Sequence, residues 1–313
     1  MKHTILGAGG SIGNSLTVEL LKSGQDVRLV SRKGNSVTGT ESFKADITSY
    51  SETVDSVRGS DIVYLCAGLP YDSRVWDELW PKVMQNTIDA CKKANARLIF
   101  FDNVYMYGKV DGPMTENTMY NPCSKKGEIR ARIATHLQDE IGKRNITASI
   151  ARSADFYGPY ATGTSMLYIL VIDKLMKGKS AQWMADVSKP HSFSYTIDCA
   201  KGLKILSENE ASFNQVWHLP TCNPAIDGKT FIELSAKELG VAPKYSVLAK
   251  WMVKMFGYVN KTVGELHEMM YQNEFNYHFD SSKFNEAFHY KPVSYEQGIH
   301  ETIEFLKNTV EKK

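Results

Sequence analysis

The glycine run Gly7-Ala8-Gly9-Gly10-Ser11-Ile12-Gly13 constrains this chain more than any other segment. It follows directly on the apolar run His3-Thr4-Ile5-Leu6 and leads into the helical pattern Asn14 to Leu21, with Gly7, Gly10 and Gly13 three residues apart. A strand that turns through glycines into a helix aims main-chain N–H groups from the positive end of a helix dipole, and only glycine lets an anion come close to that backbone. Strand, turn and helix in this order predict a site for the pyrophosphate of a dinucleotide, contacted by Gly7, Gly10, Ser11, Ile12 and Gly13. A glycine turn kept only for tight helix packing is the alternative.

Beyond the turn, short apolar runs alternate with longer amphipathic stretches, the pattern of βαβ units. Val27–Val30, Asp61–Cys66, Ala96–Phe101 and Ile146–Ile150 read as further strands, and Ser73 to Ala94 and Ser124 to Lys143 as helices. The expected fold is α/β: a Rossmann-like doubly wound parallel sheet with a smaller mixed α/β C-terminal substrate lobe. Residues 1–155 form the dinucleotide-binding domain, with parts of 190–220 returning to it, and 156–313 are mostly the substrate-binding lobe. Past residue 155 the alternation thins, and glycine, proline and aromatic residues gather in Tyr157-Gly158-Pro159-Tyr160 and His218-Leu219-Pro220-Thr221. A lobe over the carboxyl edge of the sheet would close a cleft there. The aromatic and Met-rich stretch Trp251 to Tyr271 reads as core or a subunit contact, with a cofactor or lipid groove as the alternative.

Composition removes several classes. With 37 basic against 35 acidic residues, no global field favours nucleic acid or an anionic membrane. The five cysteines, Cys66, Cys91, Cys123, Cys199 and Cys222, are odd in number and lack a C-x-x-C pair, which argues against a disulfide framework and a thiolate zinc site. The histidines show neither H-x-x-x-H nor H-E-x-x-H spacing, so no metal is expected. No apolar run approaches membrane-spanning length and no signal peptide is legible, so a cytoplasmic protein is expected.

The end of the second strand bears on the choice of dinucleotide. A carboxylate there suits the ribose 2′-hydroxyl of NAD, whereas a 2′-phosphate prefers Arg beside a small hydroxyl. The chain has Ser31-Arg32-Lys33, so NADP(H) is expected in preference to NAD(H), a solvated basic turn being the alternative. The same residues disfavour a methyltransferase, whose adenosine ribose would want the carboxylate. Asp46 and Ile47 suit an adenine edge, or else Asp46 caps the following helix. Ala67 and Gly68, small residues at a strand end, would let the middle of the cofactor pass close to the backbone.

Taken together, these residues resemble the short-chain dehydrogenase/reductase superfamily, in its atypical or extended branch of NAD(P)-dependent epimerases and dehydratases. The likeness rests on the G-x-x-G-x-x-G turn, Asp46-Ile47, Ala67-Gly68 and Val104-Tyr105-Met106-Tyr107-Gly108. It continues through Thr115-Glu116, the run Arg152 to Pro159, and the run Phe193 to Ala200. The resemblance implies hydride transfer assisted by a Tyr, a Lys four residues later and an upstream Ser or Thr, because a tyrosine is a poor base at neutral pH without a neighbouring cation. Here the alignment places Lys126 where the Tyr would stand, Arg130 in place of the Lys, and Asn103 in place of the hydroxyl residue. Arg130 remains a ribose clamp one helical turn from Lys126. Lys126 would act in acid–base chemistry if it were desolvated beside a second cation. Tyr105 and Tyr107 are substitutes past the strand edge, although tyrosines there commonly pack beneath a loop. The Tyr157-Gly158 region is expected against the nicotinamide.

For substrate contacts the sequence offers Tyr71, Arg74 and Trp80 after the third strand, and His191 in a loop facing the cleft. Helix packing explains Trp80 equally, and a structural role explains His191 equally. The expected function is an NADP(H)-binding oxidoreductase or epimerase/dehydratase-like enzyme acting on a small carbonyl, hydroxyl or sugar-nucleotide-like compound, with an irregular catalytic set. The alternative is a catalytically degenerate NADP(H)-binding sensor. The partner is a small-molecule substrate, and pairing through long helices would give a homodimer.

Overall fold

The computed structural model describes residues 1–310. At its centre lies a seven-stranded, wholly parallel sheet. In spatial order its strands are Val216–His218, Ala148–Arg152, Arg97–Asp102, Ile62–Leu65, Lys2–Leu6, Asp26–Ser31 and Glu41–Lys44. The five strands legible in the sequence each appear within two residues of their expected bounds at the N-terminal end. The two missed ones lie at the edges, where Glu41-Ser42-Phe43-Lys44 is half solvated and Val216–His218 is only three residues long.

Chain direction explains where a ligand can sit. From Lys2–Leu6 the chain builds outward to Glu41–Lys44, then crosses back to start the other half at Ile62–Leu65. The two central strands run side by side, with Leu6 opposite Leu65, and the connections leaving them diverge. A crevice opens at their carboxyl ends because no connection bridges it, and this is where α/β sheets bind ligands.

Both faces are covered. The helices Tyr50–Val57, Ser73–Ala94 and Lys125–Gly142 bury Trp80, Val83, Ile88, Ile133 and Leu137 against one face. The helices Ser11–Lys22 and Thr196–Glu208 bury Leu16, Leu20, Cys199 and Leu203 against the other. Ser73–Ala94 begins where Asp72 accepts a hydrogen bond from the Arg74 amide at 3.0 Å and stops at Asn95, whose left-handed backbone ends the helix. Ser124 caps Lys125–Gly142 in the same way through the Gly127 amide.

The second lobe has its own core of Leu167, Val171, Trp183, Phe193, Phe231, Tyr295 and Ile299. Two small parallel pairs, Asp155–Tyr157 with Phe193–Tyr195 and Ala181–Met184 with Tyr245–Leu248, carry its walls. Residues 261–273 fold across the top of the sheet as Lys261–His267 and Met270–Asn273. No helix among the described residues is long and apolar enough to cross a membrane. Nor is there, among them, a cluster of three or more His, Cys, Asp or Glu side chains placed to hold a metal.

Candidate functional site

The glycine turn heads the crevice. Gly7 has φ +96°, and a Cβ there would come within 2.4 Å of Ala67 Cα, so only glycine lets the two central strands diverge at this spacing. Gly13 lies under the turn, where a Cβ would press to 3.0 Å on the Gly7 carbonyl. Gly10 precedes Ser11–Lys22 without a side-chain cap, and the first amide to bond back within the helix is that of Asn14, to Gly10 O at 2.9 Å. The amides of Ser11, Ile12 and Gly13 therefore point out from a helix N-terminus, the arrangement an anion needs. Ser11 Oγ meets Thr164 Oγ1 at 2.7 Å and donates to Tyr160 O at 3.1 Å, tying the turn to the second lobe. Asn35, which no sequence signal marks, lies across Gly9 and donates to Ala8 O at 3.4 Å.

From this turn a cavity of about 710 Å³ runs between the lobes. Gly10, Ser11, Ile12, Ala67 and Gly68 line it at the glycine turn, and Tyr71, Asn103, Tyr105 and Arg130 line its middle. These residues, far apart in sequence, are brought together. Others are not. Arg74 projects from the first turn of its helix with 79% of its side chain exposed. Tyr157 is buried in the second lobe's core among Tyr195, Phe231 and Tyr295, away from the cavity wall. Asp46 Oδ1 accepts from the Thr48 amide and hydroxyl, which shapes the turn into Tyr50–Val57, and Ile47 packs on the hydrophobic core. Arg32 is exposed at the strand end, where Ser31 Oγ accepts from the Asn35 amide at 2.9 Å.

His191 is not in a loop facing the cleft. It is buried in a stack between Phe193 and Tyr277, 4.6 and 4.1 Å between centroids, and its Nε2 meets Asp155 Oδ2 at 3.1 Å. The group that reaches the cavity is Asp155. That carboxylate belongs to the run Arg152 to Pro159, but nothing in the sequence gives it a role. Only the parallel pairing of Asp155–Tyr157 with Phe193–Tyr195 reveals that it turns inward.

The irregular positions acquire definite surroundings. Arg130, buried, bonds through Nε at 2.7 Å and through Nη2 to Asp102 Oδ1, and lies 4.5 Å over the Trp80 ring. Lys126 is fully buried, and its neighbours are carboxylates, not the second cation that acid–base work would require. Its ammonium meets Glu268 Oε1 at 2.7 Å, the Glu265 carboxylate, and the Glu265 carbonyl at 3.1 Å, above the Tyr71 ring. With its donors spent on these acceptors, Lys126 latches residues 261–273 and has none left for a substrate. Glu265 also accepts from the Ser73 amide and hydroxyl at 3.0 Å, so the same carboxylate joins the latch to the start of Ser73–Ala94.

Two groups in the middle of the cavity can serve a reacting oxygen. Asn103 Oδ1 accepts from the Tyr105 amide at 3.1 Å, which leaves the Nδ2 hydrogens for another acceptor. Burial pushes the Tyr105 and Tyr71 hydroxyls well above the ordinary tyrosine range, so both keep their protons at neutral pH. Burial likewise pushes the Cys66 thiol up to about 12, so it is no nucleophile. The Met-rich stretch divides: Leu266 and Met269 line the cavity, whereas Trp251, Met255, Phe256 and Tyr258 are exposed.

A family model described as the NAD dependent epimerase/dehydratase family matches residues 3–218. Among solved structures, a double mutant of the dTDP-glucose 4,6-dehydratase of Streptomyces venezuelae, with NAD and DAU bound, is similar with TM-score 0.82 and 16% identity over 100% of this chain and 98% of that one. The UDP-glucuronic acid 4-epimerase of Bacillus cereus, in complex with NAD, gives TM-score 0.79 and 19% identity over 99% of both chains. The UDP-glucose 4-epimerase of Thermus thermophilus, also with NAD, gives 0.80 and 16% over 98% and 99%. No curated protein matches. At such identities the structures share the fold, while the family model spans the glycine turn and every strand of the sheet. The chain belongs to the NAD dependent epimerase/dehydratase family.

Proposed function

We propose that this chain is an NADP(H)-dependent oxidoreductase or epimerase-like enzyme with its own proton-handling set. The observation that carries the reading is the uncapped helix N-terminus at Gly10 to Gly13 opening onto a cavity lined from both lobes. The residues present fit a dinucleotide, since the outward amides of Ser11, Ile12 and Gly13 suit a pyrophosphate and the small Ala67 and Gly68 leave room beyond it. The similar dehydratase and epimerases were solved with NAD. In this chain, the exposed Arg32 and Lys33 supply positive charge, Ser31 supplies a hydroxyl, and none of the three is a carboxylate where a 2′-phosphate would lie, which favours NADP(H).

When bound, the dinucleotide supplies or accepts a hydride. Arg130, fixed by Asp102, offers charge and planarity to a ribose rather than a proton to a substrate. Asn103 Nδ2 orients the substrate oxygen, and Tyr105 donates its proton as that oxygen gains electron density. Burial keeps the Tyr105 hydroxyl protonated, so the neutral phenol that carbonyl reduction calls on is present at neutral pH. The test is consumption of NADPH by the purified chain across a panel of ketones and aldehydes, followed by nicotinamide absorbance. Tyr105→Phe should lower kcat by about 100-fold or more while leaving NADPH affinity unchanged. Undiminished turnover in Tyr105→Phe would remove that residue from the chemistry, and no consumption on any carbonyl would favour the sensor.

A further inference from the structure

We infer that the substrate end of this cleft takes a neutral, largely apolar molecule with one small polar terminus, and does not take a nucleotide-diphosphate sugar. The inference rests on the reading above, in that it supposes the glycine-turn end to be the cofactor's.

The charges lining the cavity carry the argument. Among its described lining residues Arg130 is the one cation, and its Nε and Nη2 donate to Asp102 in the middle of the cavity. The nearby Lys126 ammonium is closed off by Glu265 and Glu268. What faces the substrate end is therefore the Asp155 carboxylate, about one third exposed and held by the buried His191. A diphosphate brought into a largely dry cleft needs cations or a cluster of N–H donors, and beside a carboxylate it would be repelled.

The walls agree. Beyond Ser165 the cavity is bounded by Met166, Leu170, Met184, Leu266 and Met269, with Gln182, Gln272 and Asn273 as neutral polar points. Such a lining rewards removal of apolar surface from water and offers a sugar few hydrogen-bond partners. A single carbonyl or hydroxyl can meet Asn103 and Tyr105 while the rest of the molecule extends into this wall.

The experiment titrates the full chain, with and without saturating NADP+, with 4-phenyl-2-butanone and separately with UDP-glucose, following calorimetric heat and tryptophan fluorescence. The ketone is expected to bind in both forms and UDP-glucose in neither. Met184→Glu, which sets a carboxylate in the apolar wall, is expected to weaken the ketone at least tenfold and leave NADP+ affinity as it was. UDP-glucose binding tighter than the ketone, or ketone binding indifferent to Met184→Glu, would overturn the inference. Absence of heat from NADP+ with ketone binding intact would instead count against the dinucleotide reading and leave the apolar site standing.

Discussion

At the residue scale, Arg130 and Asp102 show how neighbours decide a side chain's chemistry. Arg130 and Asp102 are both buried, and Arg130 donates twice to one carboxylate oxygen. Removing the guanidinium leaves the Asp102 charge with the Asn103 amide, which donates to Oδ1 at 2.9 Å, and with Arg152, whose Nε is 3.8 Å from Oδ2. Arg130→Met should therefore cost about 3–5 kcal/mol of stability, read from the midpoint of urea unfolding without ligand. A cost below about 1 kcal/mol would mean that Arg152 had taken over the carboxylate. From sequence alone the position of Arg130 one turn after Lys126 was legible, because helical spacing is local. The partners were not, since Asp102 comes from a strand end and Glu265 lies 139 residues from Lys126. Asp155 escaped for the same reason. Arg74 stands close in sequence to a strand end, but that proximity says nothing about which way a helix side chain turns.

At the scale of elements, the segment 261–273 is held down by ion pairs to Lys126 and Asp72 and by the burial of Met269, Met270 and Tyr271. Burial pushes the Glu265 carboxyl up, but the Lys126 ammonium outweighs it and the net direction is downward from 4.5. A carboxyl lowered on folding contributes stability that is present above its unfolded value and lost as pH falls through its folded one. Hydrogen exchange across 261–273, corrected for intrinsic rates, should accelerate relative to the central strands below about pH 4.5. Glu265→Gln should show the faster exchange already at pH 7; equal protection in both proteins would show that apolar contacts of Leu266 and Met269 hold the segment alone. Element by element, Ser73–Ala94 was legible from its helical pattern, and in the structure Asp72 and Asn95 close its two ends. Glu41–Lys44 was not, because an edge strand with one neighbour and two half-wet faces carries no hydrophobic alternation to read.

Across the whole molecule, the later half of the sheet and the C-terminal segment meet in one buried relay. Arg152 Nη1 donates to Tyr107 Oη at 2.6 Å, Tyr107 donates to His218 Nε2 at 2.8 Å, and His218 Nδ1 donates to the Asp280 carbonyl at 2.7 Å. A carbonyl can only accept, so the Nδ1-protonated neutral imidazole is the tautomer that satisfies the chain. Burial, followed by the Arg152 charge, depresses the His218 pKa to about 3. An imidazole lowered on folding stabilises fully above its unfolded value of 6.5 and loses that contribution as pH falls toward 3. Stability should decline by roughly 4 kcal/mol across that window, and His218→Gln should flatten the slope. An unchanged acid limb in the variant would place the linkage elsewhere. The parallel sheet and its crevice were legible because alternation and glycine spacing are properties of the chain's own order, whereas the relay depends on strands joined only in space.

Calorimetric titration of the purified chain with NADP+ and NAD+ tests most directly whether the amides of Ser11, Ile12 and Gly13 hold a dinucleotide. The prediction is one site per chain, with NADP+ the tighter ligand and both lost in Gly13→Val, whose side chain would drive into the Gly7 carbonyl. Heat from neither nucleotide, or binding untouched by that substitution in a folded variant, would contradict it.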